Sequence, residues 1–157
     1  MSLFRTEIGR TIAELTVGER ASFTRTITKQ DVLQYMSLAG DLNPLYVDTH
    51  WAGRTKWESP IVPANMLAGF AMGAVASALP GPGSLTLAHS YRLLKAPRVG
   101  DQITAEMAIT EIRAPQNQVV LQYRQVDQTG QAVLEGELTV EPPEAPRPIV
   151  PHAYETF

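Results

Sequence analysis

The stretch PANMLAGFAMGAVASALP, from Pro63 to Pro80, decides the fold. Between its two prolines lie 16 residues without a charge. A membrane span needs about 18–20 apolar residues, so this run is short, and Asn65 stands near its start. It reads as a helix that opens at Pro63 and is stopped by Pro80-Gly81-Pro82-Gly83. Apolar residues fall on every face, which predicts a helix buried all round. Its six alanines and two glycines leave room for neighbouring backbone to approach closely. A single helix in a 157-residue chain can be surrounded only if a curved sheet wraps it.

The flanking sequence supplies that sheet. Ser84–Lys95 is β-rich, and Gly100-Asp101 marks a turn. Ile103, Ala105, Met107 and Ile109 then alternate with polar residues at the period of a half-buried strand. Val119, Leu121 and Tyr123 repeat the pattern, Asp127–Gly130 reads as a hairpin loop, and Leu134, Gly136, Leu138 and Val140 form the returning face. Upstream, Ala21–Thr28 reads as a strand. Gln30–Ala39 reads as a short amphipathic helix with Val32, Leu33, Tyr35, Met36 and Leu38 on its buried side. The order is strand, short helices, one long helix, then four strands in antiparallel succession. That segregation indicates an α+β domain over residues 1–141, followed by a proline-rich extended tail at 142–157.

Composition removes several function classes. Lys and Arg number 13 against 16 Asp and Glu, a net charge of −3 with no basic run, so nucleic acid is not an expected partner. There is no cysteine, hence no disulfide, thiolate metal site or cysteine nucleophile. His50, His89 and His152 lack metal-ligand spacing, and neither a metal nor another cofactor is expected. The N-terminal MSLFRTEIGRTIAEL lacks the charged start and apolar block of a secretory signal, and no segment is a membrane span. A cytoplasmic location is the expectation.

Ahead of the long helix stands AGDLNPLYVD, Ala39 to Asp48. Its Gly, Asp, Asn and Pro are turn formers, yet it also sets a carboxylate, Asp41, five residues from a phenol, Tyr46. The run YMSLAGDLNPLYVD from Tyr35, followed by Ser59-Pro-Ile-Val62 and the helix, resembles the MaoC-like dehydratases, which include the (R)-specific enoyl-CoA hydratases. The likeness spans roughly Gly18 to Val140 and includes the turn Val99-Gly100-Asp101. It implies a hotdog fold, a long helix wrapped by a five- to six-stranded antiparallel sheet. It also implies a homodimer or dimer of dimers, with a CoA or acyl-carrier thioester as substrate in a tunnel at the subunit interface. The implied reaction is reversible hydration of a trans-2-enoyl thioester to a 3-hydroxyacyl thioester. That chemistry needs a base for water, an acid for C2 and donors for the thioester oxygen.

The resemblance places the catalytic aspartate on Asp41 and, where the family carries histidine, Tyr46. The family's His-Gly at the helix start falls on Pro63-Ala64, next to Asn65; Ala64 retains an N–H and Pro63 has none. Asp41 reads either as the water-activating group or as a loop carboxylate. Tyr46, with a reference pKa of ~10, is a poor proton acceptor at neutral pH but a competent donor. Asn43 reads as a brace of the loop before Pro44. His89 is a candidate replacement base or a structural strand residue. Arg92, Lys95 and Arg98 read either as contacts for CoA phosphates or as a solvated edge. Two alternatives to hydration stand beside it, a non-catalytic acyl-thioester-binding subunit and a hotdog thioesterase.

Overall fold

The computed structural model describes residues 8–145. Strand β1, Arg20–Thr26, is followed by helix α1, Lys29–Ala39, and the short α2, Thr49–Ala52. The long helix α3 is Ala64–Ser77, and four strands follow: β2 Leu85–Leu93, β3 Gln102–Arg113, β4 Gln118–Val126 and β5 Ala132–Glu141. They form one antiparallel five-stranded sheet in the order β1-β3-β4-β5-β2. Only β3, β4 and β5 make a plain meander. Instead of pairing with its successor, β2 lies beside β5 at the far edge, in register Tyr91↔Gly136, and β1 takes the other edge, in register Phe23↔Ala105. The expected simple succession of four strands is corrected accordingly. Adjacent β2 and β3 are joined by a connection long enough to cross the sheet.

The core lies between α3 and the facing side of the sheet. Leu121, Leu134, Leu138 and Val140 are fully buried there, as are Leu67 and Ala71 of the helix. Each fully buried leucine stabilises the fold by about 2 kcal/mol. One polar residue intrudes, since Gln125 of β4 is also fully buried. Its Nε2 donates to the Leu67 carbonyl at 2.5 Å, and its Oε1 has no partner among the described residues.

Helix α3 departs from the expectation of burial on every face. Met66, Leu67, Ala68, Ala71, Ala74 and Val75 are buried, but Asn65, Gly69 and Ala76 are exposed. The sheet curls over one side of the helix, and nothing among the described residues covers those positions. Helix α1 is similarly narrower in its buried stripe. Val32 and Met36 are buried and Tyr35 is half-buried, whereas Leu33 and Leu38 are 48% and 93% exposed. At 100° per residue, positions 32, 35 and 36 share a face that 33 and 38 lie outside. The helix starts at a capping box in which Thr28 Oγ1 accepts from the Asp31 N–H (3.1 Å) and Asp31 accepts from the Thr28 N–H (2.8 Å).

After β5 the chain stays on the body. Pro142 and Pro143 are buried, and Asn117 Nδ2 donates to the Pro142 carbonyl at 3.2 Å. The greater part of the tail expected at 142–157 lies outside the described residues.

Candidate active site

The loop AGDLNPLYVD is shaped by its turn residues. Helix α1 ends at Gly40, whose φ of 68° is the left-handed conformation that glycine adopts without steric penalty. That reversal swings Asp41 back beside the helix it has just left. Tyr35, six residues earlier, donates its hydroxyl to Asp41 Oδ2 at 3.2 Å. Asn43 is spent within the loop, its Oδ1 accepting from the Leu45 N–H at 3.0 Å, and Pro44–Tyr46 forms one 3-10 turn. The turn leaves Tyr46 near enough to Asp41 to feel its charge. Burial, and next the Asp41 carboxylate, push the Tyr46 phenol above its ordinary value, so the phenol is a neutral hydroxyl at physiological pH.

The first turn of α3 completes the group. Pro63, buried, is the N-cap and makes no side-chain capping bond, which leaves the N–H groups of Ala64 and Asn65 without a helical partner. The Asn65 side chain reaches across to two tyrosines. Tyr91 of β2 donates its hydroxyl to Asn65 Oδ1, and the Asn65 amide faces the Tyr35 hydroxyl. Burial raises the Tyr35 phenol most, Asp41 adds to the effect, and the Asn65 amide opposes it. Asp41, Tyr46, Asn65 and the start of α3 thus meet in one polar cluster, together with Tyr35 and Tyr91.

The approach to this helix start is clamped from two sides. The Ile61 N–H donates to the Leu45 carbonyl at 3.2 Å, and the Val62 N–H to the Pro97 carbonyl at 2.9 Å. Arg98 then spends its guanidinium on three backbone carbonyls, those of Trp57 (2.6 Å), Ser59 (2.8 Å) and Pro60 (3.0 Å). Arg98 is therefore a brace of the Ser59-Pro60-Ile61-Val62 segment. The other two cations set beside it in the sequence are also engaged, Arg92 with Glu135 and Lys95 with Asp127 and Gln131.

His89 sits near the cluster without joining it. It lies on the helix-facing side of β2, opposite the buried Leu138, with Nε2 2.6 Å from the Tyr123 hydroxyl and its ring 5.3 Å from that of Tyr91. Gly136 makes this possible, because a Cβ there would stand 2.7 Å from the Tyr123 ring, which lies flat across β5 to reach His89. Partial burial lowers the imidazole below its ordinary value, so it is neutral at physiological pH. Trp51 is 47% exposed, while Trp57 lines a cleft of ≈ 420 Å³ with Leu93, Leu94 and Lys95. Among the described residues no group of three acidic or histidine side chains is placed to hold a metal ion.

Sequence reasoning missed Tyr35 and Tyr91 as members of the site. Tyr35 had a signal, since a residue on the last turns of a helix faces whatever follows a left-handed glycine cap. For Tyr91 there was none, because only the wrapping of β2 to the far edge brings it to Asn65.

Known proteins share this architecture. Residues 16–135 match the family described as FAS1-like, dehydratase domain region. The (R)-specific enoyl-CoA hydratase of Aeromonas caviae is 33% identical over 129 residues, which make up 82% of this chain and 96% of that protein. Its counterpart in Rhodospirillum rubrum is 31% identical over 123 residues, 78% of this chain and 85% of the relative. Among solved structures, the unliganded R-hydratase PhaJ1 of Pseudomonas aeruginosa aligns with a TM-score of 0.80 at 29% identity, covering 90% of this chain and 96% of the other. A helix wrapped by a five-stranded antiparallel sheet, with this order of elements and these relatives, is the hotdog fold. The chain belongs to the FAS1-like dehydratase-region family, and within it is a MaoC-like hotdog protein related to the (R)-specific enoyl-CoA hydratases.

Proposed function

We propose that the protein hydrates trans-2-enoyl thioesters reversibly to 3-hydroxyacyl thioesters, with Asp41 activating the water. The observation that carries this reading is the meeting of Asp41 with the uncapped start of α3. Asp41 Oδ2 takes the Tyr35 hydrogen bond, while the first turn of α3, whose leading N–H groups have no capping side chain, joins the same cluster through Asn65. A thioester carbonyl at that helix end accepts from the Ala64 N–H, where the helix dipole favours negative charge. Asp41 removes a proton from water, the water oxygen bonds to C3, and the C2–C3 π pair moves to give an enolate whose charge rests on the thioester oxygen. Collapse of the enolate takes a proton at C2, and the proton held by Asp41 balances that transfer. Tyr46, the residue in the family's histidine position, acts as a donor that holds the water, since its raised pKa keeps the hydroxyl protonated.

The test is hydration of crotonyl-CoA by wild type and Asp41→Asn. A general base contributes on the order of 100-fold or more, so Asp41→Asn should lower kcat by at least about that factor. Unchanged turnover in the variant removes Asp41 from the mechanism. Thioester binding without turnover in the wild type points to a binding subunit, the reading that a phenol in place of an imidazole favours. Release of free thiol points to hydrolysis instead. We also infer that the active form is at least a dimer joined through β2, an open sheet edge carrying exposed Leu85 and Leu87 close to Tyr91 and the site.

A further inference from the structure

We propose that Tyr35 is a positioning residue for Asp41, the last member of a polar chain in which Tyr91 donates to Asn65, the Asn65 amide faces Tyr35, and Tyr35 donates to the Asp41 carboxylate. The inference rests on the reading of Asp41 as the water-activating group. Its basis is the bookkeeping of donors and acceptors across three elements. A phenol has one hydrogen to give, and an amide has an acceptor oxygen and a donor nitrogen. Tyr91 of β2 gives its hydrogen to Asn65 Oδ1. With its oxygen so engaged, Asn65 turns its amide nitrogen toward the Tyr35 hydroxyl. Tyr35 of α1 gives its own hydrogen to Asp41 Oδ2 at 3.2 Å. Both phenol hydrogens therefore point along the chain toward Asp41, and the bond that ends it is made to a charged group, the stronger kind.

Two consequences follow for the chemistry. Tyr35 orients the carboxylate through Oδ2, and Oδ1 accepts no hydrogen bond among the described residues, which leaves it for the water. Asn65 belongs to the first turn of α3, so the same chain ties the carboxylate to the helix end that receives the thioester oxygen. Base and oxyanion donors are thereby held at a fixed separation, which is the condition for a productive geometry. Tyr46 lies beside Asp41 as well, and burial first and then the carboxylate raise both the Tyr35 and the Tyr46 phenols above their ordinary value.

The experiment combines kinetics with a titration that does not depend on activity. In crotonyl-CoA hydration, Tyr35→Phe should lower kcat about 10-fold, the usual worth of a hydrogen bond to a charged group, and leave KM unchanged. Asn65→Ala should act in the same direction. In the Asp41→Asn background Tyr35→Phe should make no further difference, because the two residues act as a unit. Separately, ultraviolet titration of phenolate formation should show two tyrosines, Tyr35 and Tyr46, whose midpoints move to lower pH in Asp41→Asn, and the one that is absent in Tyr35→Phe identifies the contact. A Tyr35→Phe variant with wild-type kcat, or one that lowers kcat equally in both backgrounds, overturns the proposal. If the wild type hydrates nothing, the functional reading falls while the titration still decides the contact. If the midpoint lost in Tyr35→Phe is the one that Asp41→Asn leaves unmoved, the contact and the chain with it are overturned.

Discussion

Tyr46 stands where the resemblance expects an imidazole, and its surroundings determine what the exchange does. Burial and the Asp41 carboxylate both raise the phenol above its ordinary ~10, so between pH 6 and 9 it neither gains nor loses charge. An enzyme relying on this residue as a donor should therefore show no ionisation from it below about pH 10. Replacing it with histidine changes both properties. Tyr46→His supplies a proton acceptor beside Asp41 with a reference pKa of ~6.5, so kcat/KM for crotonyl-CoA should rise by about 10-fold and the pH profile should gain a limb in the neutral range. Tyr46→Phe, which keeps the ring and removes the donor, should lower kcat. A histidine variant that loses activity outright shows that the hydroxyl itself is required, and a phenylalanine variant at wild-type rate shows that the position does no chemistry.

At the scale of elements, the sequence was most informative where one periodicity met one environment. The alternation of Ile103, Ala105, Met107 and Ile109 places all four in the core, and the proline-bounded run from Pro63 places α3 within a residue or two of its bounds. It was least informative where partners come from distant segments. Leu33 and Leu38 look like core residues by hydrophobicity alone, yet are exposed because no element among the described residues covers that side of α1. Likewise Arg98 and Lys95 resemble free cations until the folded chain gives each its acceptors. Of the site, Asp41 and Tyr46 were legible from the loop motif, whereas Tyr35, Tyr91 and the arrangement of Asn65 required the third dimension. The hairpin between β4 and β5 shows the same dependence. Asp127 accepts from Lys95 (2.8 Å), from the Thr129 N–H and hydroxyl (2.9 and 2.6 Å) and from the Gln131 N–H (3.0 Å). Lys95 first, then Thr129, hold this carboxyl well below the usual carboxylate range. A depressed folded pKa stabilises the native state above the unfolded value of ~3.9 and loses that contribution as pH falls through the folded one. The urea midpoint of Asp127→Asn should accordingly lie below that of wild type by a constant margin above about pH 5, and the margin should close as pH drops below about 4. A margin independent of pH down to acid denaturation shows that the charge of Asp127 contributes nothing.

The whole molecule has two sheet edges of different character. At one edge β1 presents Arg20, Ser22, Thr24 and Thr26, residues that keep an edge soluble. At the other, β2 presents Leu85 at 59% and Leu87 at 46% exposure on a strand that has no further strand beside it among the described residues. In the dimer proposed above this edge is the covered surface, and a second β2 is the simplest cover because it continues the ladder and hides the leucines of both copies. The site makes this more than a matter of stability. Tyr91 lies on that same strand and Asn65 is exposed on α3 beside it, so whatever covers β2 also closes the approach to Asp41. Leu87→Lys puts a charge on the edge while leaving α1, the Asp41 loop and the start of α3 untouched. The wild type should run at twice the chain mass or more in light scattering, and Leu87→Lys should run as a monomer with hydration of crotonyl-CoA reduced in proportion to the dimer lost. A wild type that remains monomeric at high concentration excludes the pairing. A monomeric Leu87→Lys at full activity separates the pairing from the catalytic site and leaves each chain sufficient by itself.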